Sequence, residues 1–167
     1  TAAVAEAHGA ALGVFAARLH EKSAAGLDEL KERFANEEMV GITRAYVLTK
    51  PLDASDDTNR HSSALQERVV ALRADAAIAA AFERARALFD GKPEALLHGD
   101  LHAESVMVRR DGAGGVKAID AEFAFVGPRG VDVGMALAGY CFAWAAALAT
   151  DRAELAQRLV AALAALW

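Results

Sequence analysis

Apolar residues recur at intervals of three and four through most of this chain, and shorter β-prone runs occupy only one stretch. Between Ala10 and Glu21, the residues Leu12, Phe15, Ala16 and Leu19 form one stripe, which predicts an amphipathic helix. Leu27 to Phe34 predicts a short second helix with Asp28 as its N-cap. The pattern breaks from Ala45 to Asn59, where Lys50–Pro51 disfavours helix and Asp53, Ser55, Asp56, Asp57, Thr58 and Asn59 are turn formers. A loop is expected there. Ser62 or Ser63 then caps a long helix reaching about Phe89, with Leu65, Val69, Leu72, Ala76, Ile78 and Phe82 on its buried side. Asp90–Gly91–Lys92–Pro93 ends it.

The texture changes after Pro93. Val106–Met107–Val108 and Val116–Lys117–Ala118–Ile119 are two β-prone runs around Asp111–Gly112–Ala113–Gly114–Gly115, which reads as a hairpin with a permissive glycine turn. A helix is expected from near Asp132 to about Ala149, and Asp151 with Glu154 resembles a capping box for a last helix, Leu155 to Leu166. Neither an internal repeat nor a low-complexity linker divides the chain. The expected fold is therefore a single domain over residues 1–167, mainly α with one small β-hairpin (α+β).

Composition narrows the function classes. Hydrophobic residues make up 54% of the 167 positions, much of it alanine, and charged residues make up 25%, so disorder is not expected. A net charge of -5 argues against a nucleic-acid partner, which needs a basic surface, and Arg109–Arg110 reads as a solvated hairpin edge. Cys141, the only cysteine, sits among apolar neighbours and reads as a buried, unreactive thiol in a reducing, cytoplasmic setting. Thr1 to Ala7 has no signal-peptide pattern. Val133 to Thr150 is uncharged and reaches the lower edge of membrane-spanning length. Gly134, Gly139 and many alanines dilute its hydrophobicity and no basic cluster flanks it, so it reads as a buried core helix, with no membrane partner.

The chemistry is concentrated between Leu97 and Gly134. His98–Gly99–Asp100–Leu101–His102 precedes the first hairpin strand, and Asp120–Ala121–Glu122 follows the second. A hairpin brings its ends together, so Asp100 should lie near Asp120 and Glu122. Three carboxylates brought together repel one another, and a bound cation accounts for them most simply. All-oxygen ligands without thiolates suit Mg2+, which is commonly shared with substrate phosphates. One carboxylate would then orient or deprotonate an attacking hydroxyl while the others hold metal.

In these residues the chain resembles the aminoglycoside phosphotransferase-like kinases, and among them the 5-methylthioribose kinase family. The shared pattern is a His-Gly-Asp-x-His loop, a short hairpin and then a metal-binding Asp. The narrower likeness rests on Ser105, on Ile119-Asp-Ala-Glu-Phe-Ala-Phe125 and on Gly127-Pro-Arg-Gly-Val-Asp-Val-Gly134, with weaker similarity at Leu12 to His20 and Asp57–Thr58–Asn59. The resemblance implies the C-terminal lobe of a protein-kinase-like fold using ATP and Mg2+. It implies Asp100 as catalytic base and Asp120 and Glu122 as Mg2+ ligands. His98, His102, Ser105 and Asp132 would support the loop or substrate. Ser105 falls where other members carry a metal-binding Asn. Ala121 replaces a usual Pro, and Ala103–Glu104 a usual Thr-Gly; Glu104 reads as solvent-facing.

Plainer roles stand beside these. His98 reads as a structural hydrogen-bonder, His102 as either support or proton shuttle, and Asp132 as N-cap, as brace of the loop backbone, or as both. Phe123 and Phe125 read as core, and His8, His20 and His61 as surface or helix-end residues. A hydrolytic metal site from His98, Asp100 and His102 lacks the usual dense histidine cluster.

The sequence contains no GxxxxGK[ST], no GxGxxG loop between strands and no strand lysine placed for phosphate, and no Arg-Arg pair follows Asp120. The nucleotide-binding residues are therefore unassigned, and a preceding lobe and a further C-terminal segment are expected outside this stretch. The resemblance implies phosphorylation of S-methyl-5-thioribose to its 1-phosphate, in methionine salvage. The alternatives are an aminoglycoside or another small-molecule substrate, or an inactive lobe acting as a helical interaction module. The isolated stretch is expected to be inactive, and its exposed apolar surface admits a homodimer.

Overall fold

The structure, a computed structural model, describes residues 2–108 and 116–167. Its contacts divide the chain into two compact units, Thr1–Ala35 with Glu94–Trp167, and Asn36–Pro93.

The first unit is built on α1 (Ala2–Ser23), with α2 (Leu27–Arg33), α6 (Gly130–Ala149) and α7 (Ala153–Leu166). Helix α7 lies along α1 and α6 packs on α7. The approach of α1 to α7 is close enough that a Cβ on Gly9 would stand 2.0 Å from the Ala162 carbonyl oxygen. Leu12, Ala16, Leu101, Ala136 and Leu166 form the buried cluster, with Phe15, Leu137 and Tyr140 packed against it. Burial of each large side chain is worth about 1.5–3 kcal/mol. Leu12, Phe15, Ala16 and Leu19 thus supply the face that the three-four spacing predicts.

Among the described residues, two short antiparallel pairs complete this unit. Strand β1 (Ala95–Leu97) pairs with β4 (Phe125–Gly127), setting Leu97 opposite Phe125. Strand β2 (Val106–Met107) pairs with β3 (Lys117–Ala118), setting Val106 opposite Ala118. Ser23, buried at the end of α1, donates to the Leu19 carbonyl (2.7 Å) and accepts from the Leu96 N–H (2.9 Å), which ties the helix to β1. The expected turn Asp111–Gly115 and Arg109–Arg110 lie outside the described residues.

The second unit contains α3 (Glu37–Thr43), α4 (Gln66–Ala74) and α5 (Ala76–Phe89). The stretch expected as loop from Ala45 is helical at first: a wide turn spans Arg44–Thr49 and a tight one Lys50–Leu52. The loop proper starts at Asp53, whose carboxylate accepts the Ser55 N–H at 2.8 Å, while that of Asp56 accepts the Thr58 N–H at 2.9 Å. These bonds, with the Ser55 and Thr58 hydroxyls contributing most, hold both carboxyls below their ordinary range. Ser62 caps as expected, its hydroxyl accepting from Ala64 N–H. The single long helix to Phe89 is instead two, because Asp75 takes an extended conformation and its carboxylate accepts from Ala77 and Ile78 N–H, starting α5 afresh. Leu65 and Leu72, placed on a buried side by the spacing, are 45% and 47% exposed.

Other expectations also need correction. Asp28 lies in the first turn of α2 rather than at its N-cap, which is Gly26. Asp151 has a left-handed backbone and α7 starts at Ala153 without a side-chain cap. Helix α6 is apolar and long enough to cross a membrane by length and composition, yet only 17% of its most apolar window is buried. Asp132, Ala136 and Ala147 are its buried residues, whereas Phe142 is 76% exposed and Cys141 is exposed too. Uninterrupted apolarity gives no polar face from which sequence alone could tell the side that packs from the side that does not.

Candidate active site

The site begins where β1 ends. Residues 98–102 leave the strand, and the segment 119–124 leads into β4 beside it, so the β1–β4 pairing sets the two segments side by side. Gly99 has φ +83, and a Cβ there would lie 2.2 Å from the Phe123 carbonyl oxygen. Only glycine serves at this point, for both its left-handed backbone and the close approach of the second segment.

Asp132, fully buried on the first turn of α6, holds the loop from below. One carboxylate oxygen accepts the His98 N–H and the other accepts the Gly99 N–H, each at 2.9 Å. The first oxygen also meets His20 Nε2 at 2.9 Å. Asp132 is therefore a brace and not an N-cap, a position filled by Arg129. His20, expected at the surface or a helix end, lies in the last turn of α1, yet it is 4% exposed and belongs to the brace. Its signal in the sequence is the continuation of the α1 stripe, Leu12, Ala16, His20, at four-residue spacing.

His98 binds the two segments together. It is 3% exposed, its Nε2 donates to the Ile119 carbonyl at 2.9 Å, and its Nδ1 accepts the Asp100 N–H at 3.4 Å. Ser105, 2% exposed, accepts the Ile119 N–H on its carbonyl at 2.9 Å and donates its own N–H to the His102 carbonyl at 3.1 Å. Every link from Asp132 to the residue before Asp120 is thus a hydrogen bond or a chain neighbour.

The carboxylates lie on this frame. Asp100 is partly exposed and meets His102 Nε2 at 3.1 Å. Asp120 is exposed with φ 66 and ψ 46, a left-handed conformation that an acidic residue tolerates only at some cost, and it opens a tight helical turn over Ala121–Phe123 that carries exposed Glu122. Asp120 and Glu122 are two residues apart on one turn, and their hard oxygen donors suit Mg2+. The expected three-carboxylate cluster is not assembled: among the described residues no three His, Cys, Asp or Glu side chains are grouped to hold a metal. Asp100 turns its carboxylate to His102 instead. Glu104 is exposed, as expected, and Phe125 is buried.

A family model described as the phosphotransferase enzyme family matches residues 1–166. The chain belongs to that family. Its helical fold with small antiparallel strands agrees with the kinase-like α+β expectation. This phosphotransferase-family chain is 37% identical over 139 residues to a methylthioribose kinase of Cronobacter sakazakii, covering 81% of the chain and 34% of that relative. It is 42% identical over 126 residues to one of Pectobacterium carotovorum (73% and 29%) and 44% identical over 105 residues to one of Yersinia enterocolitica (63% and 25%). The chain thus spans about a quarter to a third of the length of the curated relatives it matches.

Proposed function

We propose that this chain is the catalytic lobe of an ATP-dependent small-molecule kinase acting on a sugar hydroxyl, with S-methyl-5-thioribose as acceptor and its 1-phosphate as product, in cytoplasmic methionine salvage. The observation that carries the reading is the loop 98–102, which bears Asp100, is held by Asp132 through two backbone N–H groups and is tied through His98 to Ile119, the residue before Asp120. The names of the relatives support the substrate.

In this reading Asp100 orients the acceptor hydroxyl and takes its proton. Asp120 and Glu122 would hold Mg2+, which when bound neutralises charge on the ATP phosphates. His98 and Asp132 keep the loop from relaxing, so that the base meets the hydroxyl without reorganisation. The segment 133–167 has Asp151 and Glu154 as its only acids, offset by Arg152 and Arg158, and Arg158 pairs with Glu154 at 3.0 Å. It offers no field to attract a polycation, but its apolar residues suit a methylthio end.

The test is a substrate panel with the full-length gene product and Mg-ATP at low and high salt. Methylthioribose should be phosphorylated with KM nearly independent of salt. Aminoglycoside turnover with KM rising steeply with salt, and none of methylthioribose, would contradict the substrate, since exposed charge pairs are screened over about 10 Å at 0.1 M.

A further inference from the structure

We infer that His102 is a positioning residue, which donates from Nε2 to one oxygen of Asp100 and reserves the other oxygen for the acceptor hydroxyl. The tautomer follows from two hydrogen bonds. His102 Nδ1 accepts the Glu104 backbone N–H at 3.2 Å, and a ring nitrogen accepts only where it carries a lone pair. Nε2 of the same ring lies 3.1 Å from Asp100 Oδ2. A carboxylate oxygen needs a donor opposite it, so the single ring proton sits on Nε2. A doubly protonated ring would set Nδ1–H against the Glu104 N–H.

The backbone fixes this arrangement from both sides. The His102 N–H donates to the Asp100 carbonyl at 3.1 Å, and the Ser105 N–H donates to the His102 carbonyl at 3.1 Å. The backbone that carries the imidazole is therefore fixed, and swinging the ring away from Asp100 would also give up the Glu104 N–H bond to Nδ1. Both side chains keep partial solvent access, 36% for His102 and 27% for Asp100, so an acceptor can reach the pair.

Two consequences follow. His102 has no unoccupied lone pair and is not the proton shuttle. Oδ2 is the only oxygen of Asp100 hydrogen-bonded among the described residues, which leaves Oδ1 to receive the proton. The O–H bond of the acceptor breaks, an Oδ1–H bond forms, and the electron pair left on the hydroxyl oxygen attacks the γ-phosphorus of ATP, whose bond to the β,γ-bridging oxygen breaks and releases ADP. The His102 proton stays on Nε2 throughout. The identity of the acceptor rests on the kinase reading above; the tautomer does not.

The test has two arms. Long-range nitrogen–proton correlation spectra of the 15N-labelled chain at neutral pH should show His102 with a pyrrole-like Nε2 and a pyridine-like Nδ1. Spectra of an averaging imidazole, or of a ring protonated on Nδ1, would overturn the inference whether or not the protein proves to be a kinase. In the full-length gene product, His102→Leu should lower kcat by about ten- to a hundredfold, the worth of a hydrogen bond to a charged group, with KM for ATP unchanged. His102→Gln, whose Nε2–H reaches the same place, should restore activity to within about threefold of wild type. Equal loss in the Leu and Gln variants, or none in Leu, would overturn the positioning role.

Discussion

His20 and Asp132 stand 112 positions apart in the chain and meet at 2.9 Å in the buried interior, where Asp132 also accepts two backbone N–H groups of the loop carrying Asp100. The loop is thus held by side chains from two helices. Asp132→Ala should lower stability by several kcal/mol, since it leaves two buried N–H donors without acceptors at about 1–3 kcal/mol each. Asp132→Asn should lose less, because one amide oxygen still accepts, although its NH2 then faces a donor. His20→Gln should lose least of the three. Denaturant midpoints of the variants check this order, and Asp132→Ala within error of wild type would contradict the brace.

Gly99→Ala should be strongly destabilising despite adding one methyl group. Its φ of +83 and the 2.2 Å approach to the Phe123 carbonyl oxygen act together. A strained backbone position alone costs about 1–3 kcal/mol. Thermal unfolding by circular dichroism measures it; a midpoint unchanged from wild type would show that the loop does not take this conformation.

Asp120, proposed as an Mg2+ ligand, sits on a left-handed backbone. Asp120→Gly relieves the left-handed backbone and should leave stability unchanged or raise it by about 1 kcal/mol. The same change should remove Mg2+ binding, read by titration calorimetry with Mg2+ alone. Lowered stability in Asp120→Gly would show that the carboxylate has a structural partner that the metal reading omits.

Most of the helices and the β2–β3 pair were legible because each depends on neighbours in sequence. The stripe from Leu12 to Leu19 sets α1, and the β2–β3 pair follows from two β-prone runs, whereas β1–β4, which joins Leu96 to Val126, 30 positions apart, was not expected. What stayed hidden depends on distant contacts or on competition between local signals. His20 looks like any helix-end histidine until Asp132 arrives from α6. Asp75 reads as a mid-helix acid, and only its capping of Ala77 and Ile78 shows that it starts a new helix. Cys141 has apolar neighbours in sequence, yet it lies on the side of α6 that stays exposed.

Cys141 should therefore react fully with a thiol reagent in the native 167-residue chain. Free thiols that are buried react only after unfolding, so reaction confined to denaturant would contradict the exposure of this face.

The His8–Tyr140 pair carries a pH dependence. The Tyr140 hydroxyl lies 2.5 Å from His8 Nδ1, and burial raises the tyrosine to about 12 and lowers the His8 pKa below 6.5. As pH falls through 6.5 the unfolded chain takes up this proton first, so the histidine's contribution favours unfolding at acid pH and its penalty saturates below the folded pKa. His8→Gln should flatten the decline in thermal midpoint between pH 7.5 and 5.5, roughly the range in which histidine titrates. An identical decline in the variant would assign it to other groups.

Asp100 is proposed to take the proton of the acceptor hydroxyl, and the turnover of Asp100→Asn in the full-length gene product with Mg-ATP and methylthioribose tests this. The amide keeps the side chain's size and loses its basicity, so kcat should fall by about 10²–10⁴-fold, the usual worth of general-base catalysis, with little change in KM for ATP. Near-normal turnover in Asp100→Asn would contradict the account.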